Sequence, residues 1–303
     1  MIFNIDDVNL LYYHKLVKNY LVILAGSPRG GERTWKSLNK YVLQPLNADL
    51  AICCSDKWDQ DISLFKIANY KWVFNEFDDY KAYYEKNFNG TWREYFNTGI
   101  NTGLYESGLL HFVFKDIIKS QYLEILKEYK YIIYTRFDQL YVDYHPEFDG
   151  DHIWIPDGEE YSGVCDRHAV FPSKFSEDFF SICDYVDSKE ALNDVPKFNN
   201  CETTYLNHLR HKGLEKKIII YDRIQFTASL KSEHTNWRTA KYKIYFTDRL
   251  MMKYPGEFML SMSNLIKKYK FINILLKEPI YFLNYLYLKI RIKGGKYKKM
   301  IST

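Results

Sequence analysis

Little in the 303-residue sequence calls for a covalent or membrane-spanning architecture. The five cysteines, Cys53, Cys54, Cys165, Cys183 and Cys201, are odd in number and form neither Cys-x-x-Cys pairs nor a His/Cys ladder of zinc spacing. This argues against a disulfide framework and a zinc scaffold, and it points to a reducing, cytoplasmic compartment. No stretch offers eighteen uninterrupted apolar residues, and the first residues, with Asp6 and Asp7, lack the basic-then-apolar order of a secretion signal. Neither secretion nor a membrane span is expected. Internal repeats are missing, as is any low-complexity linker before Met251. What is present, 47% hydrophobic residues with 28 Tyr and 20 Phe, is ample for a packed core.

Charge is unevenly placed. From Met251 onward there are 11 Lys and Arg against 2 Asp and Glu, a net of +9; residues 1–250 hold 31 against 36, a net of −5. A uniformly basic chain would suggest nucleic acid. Basicity confined to one end suggests an appendage that meets an anionic surface, and the acidic remainder argues against a nucleic-acid partner.

Apolar runs alternate with helical spacing over the first half. Residues 21–25 form a strand that ends at Gly26-Ser27-Pro28-Arg29-Gly30-Gly31, followed by a helix through Trp35, Leu38 and Val42. Residues 48–54 and 71–74 read as further strands, 104–129 as a helix and 131–135 as a strongly apolar strand. Shorter strands are expected at 139–142, 152–155, 169–172 and 217–221, and a helix at 202–211. This alternation implies an α/β fold with a mostly parallel, Rossmann-like sheet whose ligands gather at the carboxyl ends of the strands. The expected division is a catalytic domain over 1–250, with a nucleotide-binding half near 18–140 and an acceptor half near 141–250, and a basic aromatic helical tail over 251–303.

Several segments carry chemistry. The glycine turn at 26–31 leaves backbone N–H groups free for phosphate, with Arg29 and Arg33 close by; the same glycines also suit a plain connecting turn. It is not a P-loop, since Glu32 and Arg33 stand where Lys and Ser or Thr are needed. Thr135-Arg136-Phe137-Asp138 follows the apolar strand, and a carboxylate there can hold a divalent cation that bridges a diphosphate. A strand-end ion pair between Arg136 and Asp138 is the competing reading. The polar segment 157–168 lies between two strands and ends in Asp166-Arg167-His168, of which at most two can face one site if the backbone is extended. Asn200 suits a helix cap with Glu202 in the first turn; Glu202 also suits a general base for an acceptor hydroxyl. In the tail, Pro279 divides two short helical stretches. Residues 264–299 suit either an interfacial element on an anionic leaflet or a helix pair packed on the domain with a basic outer face.

Together, Leu24-Ala25-Gly26-Ser27-Pro28-Arg29-Gly30-Gly31-Glu32-Arg33-Thr34-Trp35, residues 46–52, Tyr134-Thr135-Arg136-Phe137-Asp138 and Gly163-Val164-Cys165-Asp166-Arg167-His168 resemble GT-A-fold glycosyltransferase-like proteins of large DNA viruses and some microbes. The resemblance spans roughly residues 18–240. It implies transfer of a sugar from a nucleotide-sugar donor, UDP-sugars favoured, to a glycan or glycoconjugate hydroxyl, assisted by Mn2+ or Mg2+. It assigns Ser27, Arg29, Arg33 and Asp56 to the donor and Asp138 to the metal; Pro28 and Arg136 join the donor side by their position, and His234, near Trp237 after the last expected strand, is a candidate further metal ligand. Arg167, His168 and Tyr161 go to the acceptor, and Glu202 and Asp166 compete for catalytic base. The pattern departs from a strict Asp-x-Asp, with Arg136 at the first acidic position. Two rival readings are a sulfotransferase using residues 26–35 as a phosphate loop, and a membrane or nucleic-acid binding module driven by the tail.

Overall fold

The computed structural model describes residues 18–101, 104–233, 250–269 and 279–291. Its frame is a seven-stranded sheet. Strand β1 (Lys18–Ala25) pairs in parallel with β2 (Asp49–Ser55), which pairs with β3 (Tyr70–Phe74). On its other side β1 pairs in parallel with the later strand Tyr129–Thr135. Between them lie a two-residue strand, β4 (Ile100–Asn101), and the long helix Leu104–Leu126, so Tyr129–Thr135 is β5. Strands β6 (Gln139–Tyr141), β7 (Ile153–Pro156) and β8 (Ala169–Pro172) follow. After β9 (Phe198–Asn199) comes β10 (Ile218–Tyr221), and the sheet order is β10-β7-β8-β5-β1-β2-β3. Only β8 runs against its neighbours, β5 and β7. The sheet is therefore mixed and mostly parallel, as the alternation of runs implied.

Its central strands are apolar along their inner residues because helices cover both faces. Alternate residues of β1 divide between two cores: Leu21, Ile23 and Ala25 face one, Tyr20, Val22 and Leu24 the other. The helix Leu104–Leu126 fills the first core with Phe112, Val113, Ile117 and Ile118. The second is filled by α1 (Gly31–Leu38) through Trp35 and Leu38, and by the π-helical turn Asn39–Leu43 that continues it.

Four strands went unread in the sequence: the two-residue β4 and β9, which pair with each other, and two longer ones. β11 (Gln225–Leu230) pairs antiparallel with both β6 and β12 (Leu250–Met252), making a small second sheet. The tail helices Pro255–Tyr269 and Pro279–Arg291 pack into a third core with Leu140, Phe226 and Ala228 of that sheet. The change of composition at residue 250 thus falls inside a strand, and Pro279 does mark the start of the second tail helix.

Candidate functional site

In an open parallel sheet, ligands collect where the strand order reverses, beyond the carboxyl ends. Here the chain builds outward from β1 to β3, then returns past β1 to β5, so the switch point lies between Ala25 and Thr135. The glycine turn after β1 and the Arg136–Asp138 segment after β5 meet there. Gly26, Ser27, Arg29, His111, Arg136 and Asp138 line a crevice of about 60 Å³. Gly30 has φ +87°, and a Cβ on it would come within 2.7 Å of Thr34 Oγ1 and 3.1 Å of Asp138 Cα. Only glycine permits that approach. The Thr34 hydroxyl donates to the Phe137 carbonyl at 3.2 Å, and Ser37 Oγ accepts from the Tyr141 N–H at 2.9 Å, so α1 anchors the whole 137–141 segment.

Not every donor-side residue reaches the crevice. Pro28 lies within the turn and Arg33 in the first turn of α1, neither of them in its lining. Asp56 sits exposed at the carboxyl end of β2, where its carboxylate accepts from the Glu76 N–H at 2.9 Å. The Gly30 N–H, expected to meet phosphate, donates instead to Glu233 at 2.9 Å; the same carboxylate accepts from Leu230 N–H and the Ser229 hydroxyl.

Arg136 and Asp138 form a two-pronged ion pair, Nε to Oδ1 at 3.0 Å and Nη2 to Oδ2 at 2.6 Å. Such parallel bonds are the strongest form of guanidinium–carboxylate contact. Burial disfavours the Arg136 charge, but neighbouring Asp138 outweighs it and the guanidinium is held more firmly protonated than usual. Both Asp138 oxygens are thereby engaged. Among the described residues no group of three His, Cys, Asp or Glu side chains gathers as a metal site, and His234 lies outside them. Among the described residues, Asp138 is thus bonded to Arg136 and has no set of further ligands around it.

A second charged group lies on the loop 157–168. The Arg167 guanidinium donates to Glu159 at 3.0 Å and to Glu202 at 3.2 Å, and lies 3.8 Å from Asp166. Arg223 also pairs with Glu159 at 3.3 Å. All five side chains are at least nine-tenths buried. Burying so many charges is costly unless they are paired, and here the pairing is incomplete: Asp166 Oδ1 and Arg167 Nε are buried with no hydrogen-bond partner among the described residues. Against the upward push of burial, Arg167, His111, Lys115 and Arg136 hold Asp166 down to about 2. Glu202 goes the other way: burial and the Asp166 charge push it up to about 7, despite Arg167. Such a carboxyl can exchange a proton near neutrality.

The backbone explains how Glu202 is held. Asn200 caps the helix Cys201–His211, accepting from the Thr203 N–H at 2.8 Å, while the Thr203 hydroxyl accepts from Asn200 N–H. Gly163 packs its backbone against that first turn, and Val164 N–H donates to the Glu202 carbonyl at 3.3 Å. Glu159, Tyr161 and Ser162 all have positive φ, 54°, 38° and 70°. Strain concentrated in non-glycine residues of one loop is a mark of a functional segment.

Asp166 and Arg167 face this group, but His168 does not. It is buried with Tyr141 and His145, its Nε2 3.3 Å from His145 Nε2, and burial holds it well below the usual histidine range. It is thus far from open to an acceptor. Tyr161 is 42% exposed, and its hydroxyl contacts that of Tyr254. Both tyrosines border a cavity of about 970 Å³, which lies beyond β7 and β10 and is floored by the first tail helix. That cavity, unlike the crevice, has the volume of a ligand site.

Sequence reading missed His111, Lys115, Glu159, Arg223 and Lys253. His111 and Lys115 were visible as polar residues four apart among the apolar positions of a core-facing helix, a spacing that puts both on one face. Lys115 is fully buried with its ammonium 4.4 Å from the Tyr205 ring centre. Lys253 is pushed down to about 8 by burial and then by Arg167. Its position after β12 gave no local signal. No protein-family model matches the chain, and no curated protein matches it significantly.

Proposed function

We propose that the chain is a glycosyltransferase of GT-A-like organisation, taking a sugar from a nucleoside-diphosphate donor at the switch-point crevice to a hydroxyl of an acceptor glycan. The observations that carry this reading are the Arg136–Asp138 pair at the switch-point crevice and the buried carboxyl of Glu202, bonded to Arg167 and pushed up to about 7 by burial and then by Asp166. Asp166 feels both groups, held down chiefly by Arg167 and more weakly by Arg136.

In the proposed reaction the acceptor oxygen attacks the anomeric carbon while Glu202 takes its proton. The bond from that carbon to the diphosphate oxygen breaks, and its electron pair leaves with the diphosphate. Arg136 and Arg29, both lining the crevice, offset the charge that develops there. Asp138 orients Arg136, and Arg167 orients Glu202. A direct displacement with a base on the acceptor inverts the anomeric configuration. At about 60 Å³ the crevice is closed to a nucleotide, so donor binding moves side chains over it, including the Arg136–Asp138 pair.

We assign the acceptor to the large cavity, whose wall reaches the Glu202 group through Glu159, bonded to Arg167, which in turn bonds Glu202. Its wall combines the rings of Tyr144, Phe148 and Tyr221 with the carboxylates of Asp143, Glu160 and Asp222. Rings suit the apolar face of a sugar and carboxylates accept from its hydroxyls, whereas an anionic acceptor would be repelled. Calorimetric titration with UDP, GDP and adenosine 3′,5′-bisphosphate in the presence of EDTA tests the donor site. A nucleoside diphosphate should bind, and Arg136→Gln should weaken it at least about tenfold. Preference for the bisphosphate would indicate a sulfotransferase and overturn the proposal. Binding that requires added manganese would refute the role given to Arg136.

A further inference from the structure

The second tail helix, Pro279–Arg291, has two apolar faces. One is accounted for: Tyr281, Phe282, Tyr285 and Leu288 are buried in the third core, where the Tyr281 ring lies 6.4 Å from that of Phe258 and the Ser263 hydroxyl donates to Tyr285 Oη at 3.2 Å. The opposite face is Leu283, Leu286, Tyr287 and Ile290, exposed at 59%, 36%, 46% and 68%. These positions follow i, i+3, i+4, i+7, so they form one continuous stripe along the helix. A helix packed on a domain with a solvated outer face would carry polar residues there. Single exposed leucines are ordinary, but an aligned stripe of four is not.

We infer that this stripe lies flat on an anionic lipid leaflet, its side chains entering the headgroup region. Charge selects the occupant. Residues 264–299 contain ten Lys and Arg against one acid, Glu278, and Lys289 is exposed beside the stripe. A second copy docked through the same face would bring two such basic segments together. Anionic headgroups neutralise them while the acyl boundary takes the apolar side chains. No described helix is long and apolar enough to cross a membrane, so contact is in the plane of the surface. The inference does not depend on the proposed transfer reaction.

The test is flotation of the full-length protein with phosphatidylcholine vesicles prepared with and without phosphatidylglycerol, at low and high salt. The wild type should float with the anionic vesicles, less so at high salt, and poorly with phosphatidylcholine alone. The double variant Leu283→Glu with Ile290→Glu should lose vesicle binding at least about tenfold while keeping its melting temperature, because both side chains lie outside the core. Undiminished flotation of the variant would overturn the inference, as would failure of the wild type to float with anionic vesicles. A wild-type dimer that the variant converts to monomer, without vesicle binding, would identify a second copy as the occupant instead.

Discussion

Replacing Gly163 with alanine tests the packing that holds Glu202. The ideal Cβ would lie 2.1 Å from the Glu202 carbonyl oxygen, 2.2 Å from its carbonyl carbon and 2.5 Å from Thr203 N. All three are backbone atoms, so no side chain can rotate away. Restoring an ordinary 3.4 Å contact requires the loop and the helix start to part by about 1.3 Å. That separation breaks the Val164 N–H bond to the Glu202 carbonyl, worth about 1 kcal/mol. Overpacking adds about 1–3 kcal/mol, for a total of about 2–4 kcal/mol. In a protein of this size the melting temperature should fall by roughly 3–6 °C. The control is Gly213→Ala: Gly213 has φ +70° but nothing within 4 Å of its Cβ, so it should lose only about 1 kcal/mol from backbone strain. Urea unfolding of both variants measures the difference. If Gly163→Ala is no more destabilising than Gly213→Ala, the loop does not pack on the helix start as described. Glu202 moves with the backbone, so transfer activity should drop by about a hundredfold, more than lost stability explains.

Glu202→Gln should lower kcat by about 10²–10⁴ with little change in donor affinity. Because the Glu202 carboxyl is raised to about 7, its base form appears only above that pH; wild-type kcat should climb through pH 7 to a plateau, and a profile already flat from pH 5 would rule Glu202 out. Arg167→Met removes the shared cation of Glu159 and Glu202 and leaves both carboxylates buried, so it should cost about 3–5 kcal/mol in urea unfolding. A loss below about 1 kcal/mol would show that water reaches the group.

Much of the frame was legible because it is local. The inner residues of β1, β2 and β5, 21–25, 50–54 and 131–134, are apolar without a break, which only a strand buried on both faces tolerates. Asn200 announced its helix through a side chain that bonds three residues on. The meeting of the glycine turn with Arg136 and Asp138 followed from parallel alternation, since that places the carboxyl ends of β1 and β5 side by side.

What the sequence could not decide is which charge meets which. Arg167 finds Glu159 eight residues away and Glu202 thirty-five away, while Arg223 reaches Glu159 across sixty-four. Asp138 read first as a metal ligand and second as a partner of Arg136, and the two-pronged contact with the guanidinium is visible only in the fold. His168 differs from Asp166 and Arg167 by the direction of its side chain, which sends it to Tyr141 and His145. The tail's helices were visible as periodicity, but that one face joins a core with Leu140 and Phe226 while the other stays exposed depends on β11 and β12, whose short runs carry no strong pattern of their own. Periodicity records how a segment is buried, a property of neighbours in sequence; the energy of a buried charge depends on groups brought near it by the whole fold, and only the tertiary structure supplies those.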